Sequence, residues 1–107
     1  MRILLDESLP KKLKKEFGPE HEVLSVRDMK WLGEKNGILL KHMIENRFEL
    51  FVTVDRNLQY QQNLERLPLT IIVLSAINNR LETLSALIPK IFERINLNVI
   101  DNVIEIS

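Results

Sequence analysis

At 107 residues the chain is long enough for one hydrophobic core and too short for two domains, and its 15 basic residues balance 15 acidic ones. Without a net field it is not drawn as a whole onto nucleic acid or a membrane surface. The lack of cysteine excludes disulfides and thiolate metal sites. With no signal-peptide pattern and no apolar run near the roughly 20 residues that span a bilayer, the expectation is a soluble cytoplasmic protein with no membrane partner.

Arg2-Ile3-Leu4-Leu5 reads as a buried strand that ends on Asp6. Leu9, Leu13 and Phe17 then recur every four residues and mark one face of a helix, which Gly18-Pro19 stops. Lys11, Lys12, Lys14 and Lys15 occupy the rest of that helix and could bind phosphates, but with Glu16, Glu20 and Glu22 close behind they read rather as a solvated face. Residues 21–26 form a second strand. The loop over 27–35 carries the only tryptophan, Trp31, whose ordinary fate is partial burial. Asn36 is placed to cap a helix over 37–46, with Leu39, Leu40, Met43 and Ile44 facing inward.

A third strand, Leu50-Phe51-Val52-Thr53-Val54, ends on Asp55. Residues 56–66 are polar, with Leu58 and Leu64 as their few apolar anchors. Residues 69–74 are the clearest strand in the chain. Asn79 with Glu82 resembles a capping box opening a helix whose Leu81, Leu84, Ile88, Ile91, Phe92 and Ile95 share a side. Pro89 is expected to kink or divide that helix. Residues 99–106 read as extended and apolar, pairing at the sheet edge or, as an exposed edge strand would, with a second copy in a homodimer. The alternation of strands and helices predicts an α/β fold with a mostly parallel sheet of four or five strands.

Two strands that each end on an acid are the main functional clue. Ligands of open α/β sheets gather at the strands' carboxyl ends. Right-handed crossovers would put the Asp6 strand beside the Asp55 strand. Two carboxylates so close repel unless a cation lies between them, and hard oxygen ligands suit Mg²⁺ or Mn²⁺. Either aspartate alone is a common helix cap; the pair, with Glu7 and Asn57 beside it, points to a site. Lys35 and Asn36, Arg56 and Asn57, and Asn79 and Arg80 lie on loops that leave strands or enter helices, where anions are favoured. Asn57, Gln59, Gln61, Gln62 and Asn63 crowd one short stretch, which reads either as a neutral solvent face or as amides that bond bases, sugars or phosphates without adding charge. His21 and His42 are not spaced as a ligand pair.

With these residues assembled, the chain resembles the short PIN-like nuclease domains. More narrowly, it is similar to a small bacterial branch related to the C-terminal ribonuclease domain of the Mut-seven exonuclease. The matching stretches are Leu4-Leu5-Asp6-Glu7-Ser8-Leu9-Pro10, His21-Glu22-Val23, Trp31-Leu32-Gly33-Glu34-Lys35-Asn36-Gly37, Val52-Thr53-Val54-Asp55-Arg56-Asn57 with Gln61-Gln62-Asn63, and Asn79-Arg80. The resemblance implies a single PIN-like α/β/α sandwich over 1–107, metal-dependent RNA cleavage, and frequent pairing with an antitoxin protein. Asp6 and Asp55 match the family's first and third acids. Asn36 stands where the middle acid of typical PIN domains falls, with Glu34 two positions earlier, and Asn57 represents the late acid.

The combined expectation is a Mg²⁺- or Mn²⁺-dependent ribonuclease whose metal is held by Asp6, Asp55 and Glu7. Asn36 and Asn57 complete the catalytic set. Lys35, Arg56 and Arg80, with Gln61, Gln62 and Asn63, would hold the RNA. The alternative is a catalytically degenerate PIN-like domain that binds RNA or a protein partner without cutting.

Overall fold

Five short strands line up as one parallel sheet in the computed structural model, which describes residues 1–55, 68–96 and 102–107. In chain order the elements are β1 (Arg2–Leu5), a 3₁₀ helix (Lys11–Phe17), β2 (Glu22–Ser25), α1 (Asn36–Glu45), β3 (Leu50–Thr53), β4 (Thr70–Leu74), α2 (Leu81–Ser85), α3 (Ile88–Asn96) and β5 (Val103–Ile106). The sheet order is β2-β1-β3-β4-β5, with every neighbouring pair parallel. Because all strands run one way, the loops that follow them share one edge of the sheet.

Alternation along each strand splits the apolar residues between two cores. Ile3, Leu5, Leu50, Val52, Ile72, Leu74, Ile104 and Ile106 turn to the face covered by the 3₁₀ helix, α2 and α3, where Leu13, Phe17, Leu84, Ile88 and Ile91 meet them. Leu4, Phe51, Ile71 and Val73 turn to the opposite face, packed with Leu39, Leu40 and Met43 of α1 and with Phe48. Strands buried on both faces read as unbroken apolar runs, which is why β3 and β4 stand out in the sequence. The result is the expected parallel α/β sandwich.

Several local expectations are met and others shift. Pro89 does divide the last helix: α2 ends at Ser85, and the proline sits in the first turn of α3, where it lacks only a donor that would go unpaired anyway. Leu9, Leu13 and Phe17 are buried as their spacing requires, but the segment is 3₁₀ rather than α, closed by Leu13 N–H bonding to Pro10 O at 3.0 Å. Gly18 ends it at φ 90°, a conformation that suits glycine alone among ordinary residues.

Both expected asparagine caps are corrected. Lys35, with extended backbone, accepts the first helical bond from Leu39 N–H at 2.8 Å, so Asn36 is the first residue of α1 and not its cap. Arg80 holds the same position for α2 and receives no side-chain cap, so the Asn79–Glu82 box does not form. The turn is made one residue earlier, where Asn78 Oδ1 accepts the Arg80 N–H at 3.0 Å. Ile44, expected to face inward, is exposed.

The described part of the terminal segment joins the sheet as β5, parallel to β4, with Ile104 and Ile106 buried in its own core. Those apolar side chains are satisfied within one copy of the chain. The polar stretch 56–66 and residues 99–101 lie outside the described residues. No helix among the described residues is long and apolar enough to cross a membrane.

The two-sided core sets a clear contrast between two isoleucines five residues apart. Ile72 is fully buried at the middle of β4, whereas Ile77, in the loop after it, is 94% exposed. Ile72→Ala is expected to cost about 2–5 kcal/mol, and Ile77→Ala less than about 0.5 kcal/mol, by urea denaturation. Equal losses would mean that β4 is not the buried strand described.

Candidate active site

The strand order reverses at β1. From β1 the chain moves outward to β2, then returns to the other side of β1 to lay down β3. Such a reversal opens a crevice at the carboxyl ends of the two central strands, because their following loops depart in opposite directions. Asp6 follows β1 directly, and Asp55 lies two residues beyond β3. The two acids expected from sequence therefore do stand on adjacent strands at one edge.

The ladder between β1 and β3 continues one step past the strand end: Asp6 N–H donates to Val52 O at 2.9 Å. That bond sets Asp6 beside Thr53. The Thr53 hydroxyl donates to Asp6 Oδ2 at 2.8 Å and accepts the Asp55 N–H at 3.0 Å. One hydroxyl thus ties the side chain of the first acid to the backbone of the second. Thr53 is only 1% exposed and is the one buried polar side chain among the described residues. In the sequence it was a β-branched residue ending a strand, which conceals a polar role; its signal was the polar group at the carboxyl end of an otherwise aliphatic run.

Asp6 is held by two further donors. Glu7 N–H reaches Oδ1 at 2.9 Å, and the Ser8 hydroxyl reaches Oδ2 at 2.8 Å. A carboxylate offers about four acceptor positions. Three are filled, two of them on Oδ2, so the remaining capacity lies on Oδ1. By donor chemistry, carboxylate oxygens such as Asp6 Oδ1 and those of the half-buried Asp55 are of the kind that would suit a hard divalent cation.

Other expected residues are placed less centrally. Glu7 is exposed, and its backbone rather than its carboxylate contacts Asp6. Lys35 and Asn36 begin α1 and Arg80 precedes α2, so all three stand on the carboxyl edge, with Lys35 and Arg80 exposed. Arg56, Asn57, Gln61, Gln62 and Asn63 lie outside the described residues. Glu34, the acid nearest Asn36 in sequence, is turned to His42, with Oε1 3.7 Å from Nε2. Among the described residues, no group of three or more His, Asp or Glu side chains gathers as a metal site.

Both histidines are packed on aromatic rings. His21 stacks on Phe92 with centroids 4.7 Å apart, and His42 stacks on Trp31 at 5.2 Å, while the indole meets Phe48 edge-on. A cavity of about 280 Å³ lies elsewhere, between α3 and β5, lined by Lys90, Glu93, Arg94 and Glu105 and by no residue of either acid's loop.

Beside Asp6, the turn after β2 is pinned to the 3₁₀ helix. Ser25 N–H donates to Asp28 Oδ2 at 2.8 Å, Asp28 N–H donates to Ser25 Oγ at 3.0 Å, and Lys14 pairs with the same carboxylate. The Lys14 bond, then the Ser25 N–H, hold the Asp28 carboxyl below its ordinary value, against a smaller opposing effect of burial.

Two outcomes follow. Thr53→Val keeps the shape but strands the Asp55 N–H and removes a donor from Asp6, so it should cost about 1–3 kcal/mol in denaturant unfolding. Thr53→Ser, which keeps the hydroxyl, should recover most of that loss; equal losses would assign the effect to the methyl group. For Asp28 the folded pKa is depressed, so its contribution is present above the unfolded value of about 3.9 and fades as pH falls through the lower folded value. Asp28→Asn should therefore flatten the acid limb of a melting-temperature profile, and an unchanged limb would show that the Lys14 pair adds nothing.

In comparisons with protein-family models, curated proteins and solved structures nothing matched the chain, so its functional reading rests on Asp6, Thr53 and Asp55 themselves.

Proposed function

We propose that the chain is a Mg²⁺- or Mn²⁺-dependent ribonuclease of PIN-like type, acting in the cytoplasm as the toxin half of a toxin–antitoxin pair. The observation that supports the enzymatic reading is the linkage at the strand-order reversal, where the Thr53 hydroxyl joins the Asp6 carboxylate to the Asp55 backbone N–H. The toxin role is supported by the resemblance of the sequence stretches around those acids.

A divalent ion bound there would supply a water of lowered pKa and positive charge against a phosphate. Asp6 and Asp55 would hold it through carboxylate oxygens. Thr53 and Ser8 fix the orientation of Asp6, leaving one oxygen able to accept a further ligand. Lys35 and Arg80, exposed on the same edge, supply positive charge for the phosphates of a bound strand.

One observation favours the second reading, a PIN-like domain that binds RNA or a protein without cutting it. Asn36 stands where the resemblance places an acid, Glu34 points its carboxylate to within 3.7 Å of His42, and the described residues assemble no third carboxylate. Each missing negative charge weakens the hold on a cation.

Asp55→Asn separates the readings. It should abolish divalent-dependent cleavage of single-stranded RNA and Mn²⁺ binding by calorimetry. The melting temperature of the metal-free protein should stay equal or rise by a few degrees, because a carboxylate repulsion is relieved. If the unmodified protein neither binds Mn²⁺ nor cleaves single-stranded RNA with any divalent ion, the enzyme reading gives way to the binding module.

A further inference from the structure

The four lysines of the 3₁₀ helix look alike in the sequence, but the helix sorts them. With three residues per turn, Lys11 and Lys14 lie one above the other. Both line a cavity of about 70 Å³ at the carboxyl ends of β1 and β2, whose polar wall is completed by Asp6, Glu7, Ser25 and Arg27. Lys12 and Lys15 are exposed and take no part in it. Lys14 is engaged by Asp28. Lys11 and Arg27 are exposed, and neither forms an ion pair with a described residue.

The strand order then sets out a row along the edge. Lys11 and Arg27 stand on the β2 side of Asp6, Asp55 follows β3, and Arg80 follows β4. At about 4.8 Å between strands, the row from β2 to β4 covers roughly 14 Å. Cations on both sides of an acid pair fit a polyanion that crosses the pair. They fit a single small anion less well, since that would need charge on one side only.

We propose that the cavity between the β1 and β2 ends seats a phosphodiester of single-stranded RNA flanking the one presented to Asp6 and Asp55, with Lys11 and Arg27 as its counter-charges. This rests on the ribonuclease reading and adds the direction in which the strand runs. In a chain of zero net charge, such local cations must provide the attraction. The Arg27 guanidinium offers a planar fork that matches phosphate oxygens.

The test is binding of a fluorescent single-stranded RNA, followed by anisotropy from 50 to 200 mM salt without divalent ions so that nothing is cut. Losing two phosphate contacts on a single strand should lower the log–log salt slope by about 1.4. Over that fourfold range, the affinity of the Lys11→Ala/Arg27→Ala protein should therefore fall roughly 7-fold less than that of the unmodified protein. Lys12→Ala/Lys15→Ala removes the same charge from the same surface and should change the slope far less. Equal slopes for the two double variants would overturn the cavity as a phosphate seat while leaving the ribonuclease reading intact. Loss of binding to a polyglutamate peptide instead of RNA would reassign the surface to an acidic protein. If the unmodified protein binds no RNA at any salt, both this inference and the reading beneath it fall. Circular dichroism confirms folding of each variant, and single Lys11→Met and Arg27→Met substitutions carry the same test at about half the slope change.

Discussion

Parallel pairing of β1 with β3 decides what meets what at the carboxyl edge, because register transmits position from one strand to the next. Leu5 lies opposite Val52, so the ladder bond from Asp6 must reach Val52 O, and Thr53 must then face Asp6. A slip of one residue would turn every side chain to the other face. Leu50 and Val52 would leave the core they share with Ile3 and Leu5, and Thr53 would lose its carboxylate. The apolar cores on the two faces thus hold the register, and the register holds the acids. Packing far from the edge thereby governs which groups meet at the edge.

Thr53 shows how a buried polar group is accommodated where strands end. Its hydroxyl both donates and accepts, so neither of its capacities is wasted in a setting nearly closed to water. The same arrangement restrains Asp6. Three donors on Asp6 hold its carboxylate in one orientation.

The covering elements divide the labour around this edge. The face with the 3₁₀ helix, α2 and α3 is knitted by aliphatic contacts, and the reciprocal Ser25–Asp28 turn with Lys14 ties the 3₁₀ helix to the end of β2. Opposite, His42 of α1 stacks on Trp31, whose ring meets Phe48 edge-on, and Glu34 Oε1 lies 3.7 Å from His42 Nε2. At the amino edge, Arg2 is fixed by Glu22 at 2.6 Å and by Asn46 O at 2.9 Å, far from either aspartate.

How much was legible follows from the range of each signal. Buried parallel strands announce themselves as unbroken aliphatic runs, so β1, β3 and β4, the acids that close β1 and β3, and the division of the last helix at Pro89 could all be read from local residues. Turn and cap chemistry was read less well. Asn36 and Asn79 are good caps by residue type, yet the helices begin where backbone geometry placed Lys35 and Arg80, and Asn78 made the turn. Long-range facts left no local trace. The function of Thr53 depends on a partner 47 residues away, the turning of Glu34 to His42 on how α1 packs, and the sorting of four lysines on a 3₁₀ pitch that their four-residue apolar spacing had disguised as α. By itself the sequence determined which residues must be buried and which acids end their strands, since burial and strand length are local matters of polarity. Only the tertiary structure decided which of those residues touch, because contact depends on register and strand order, which the whole core sets at once.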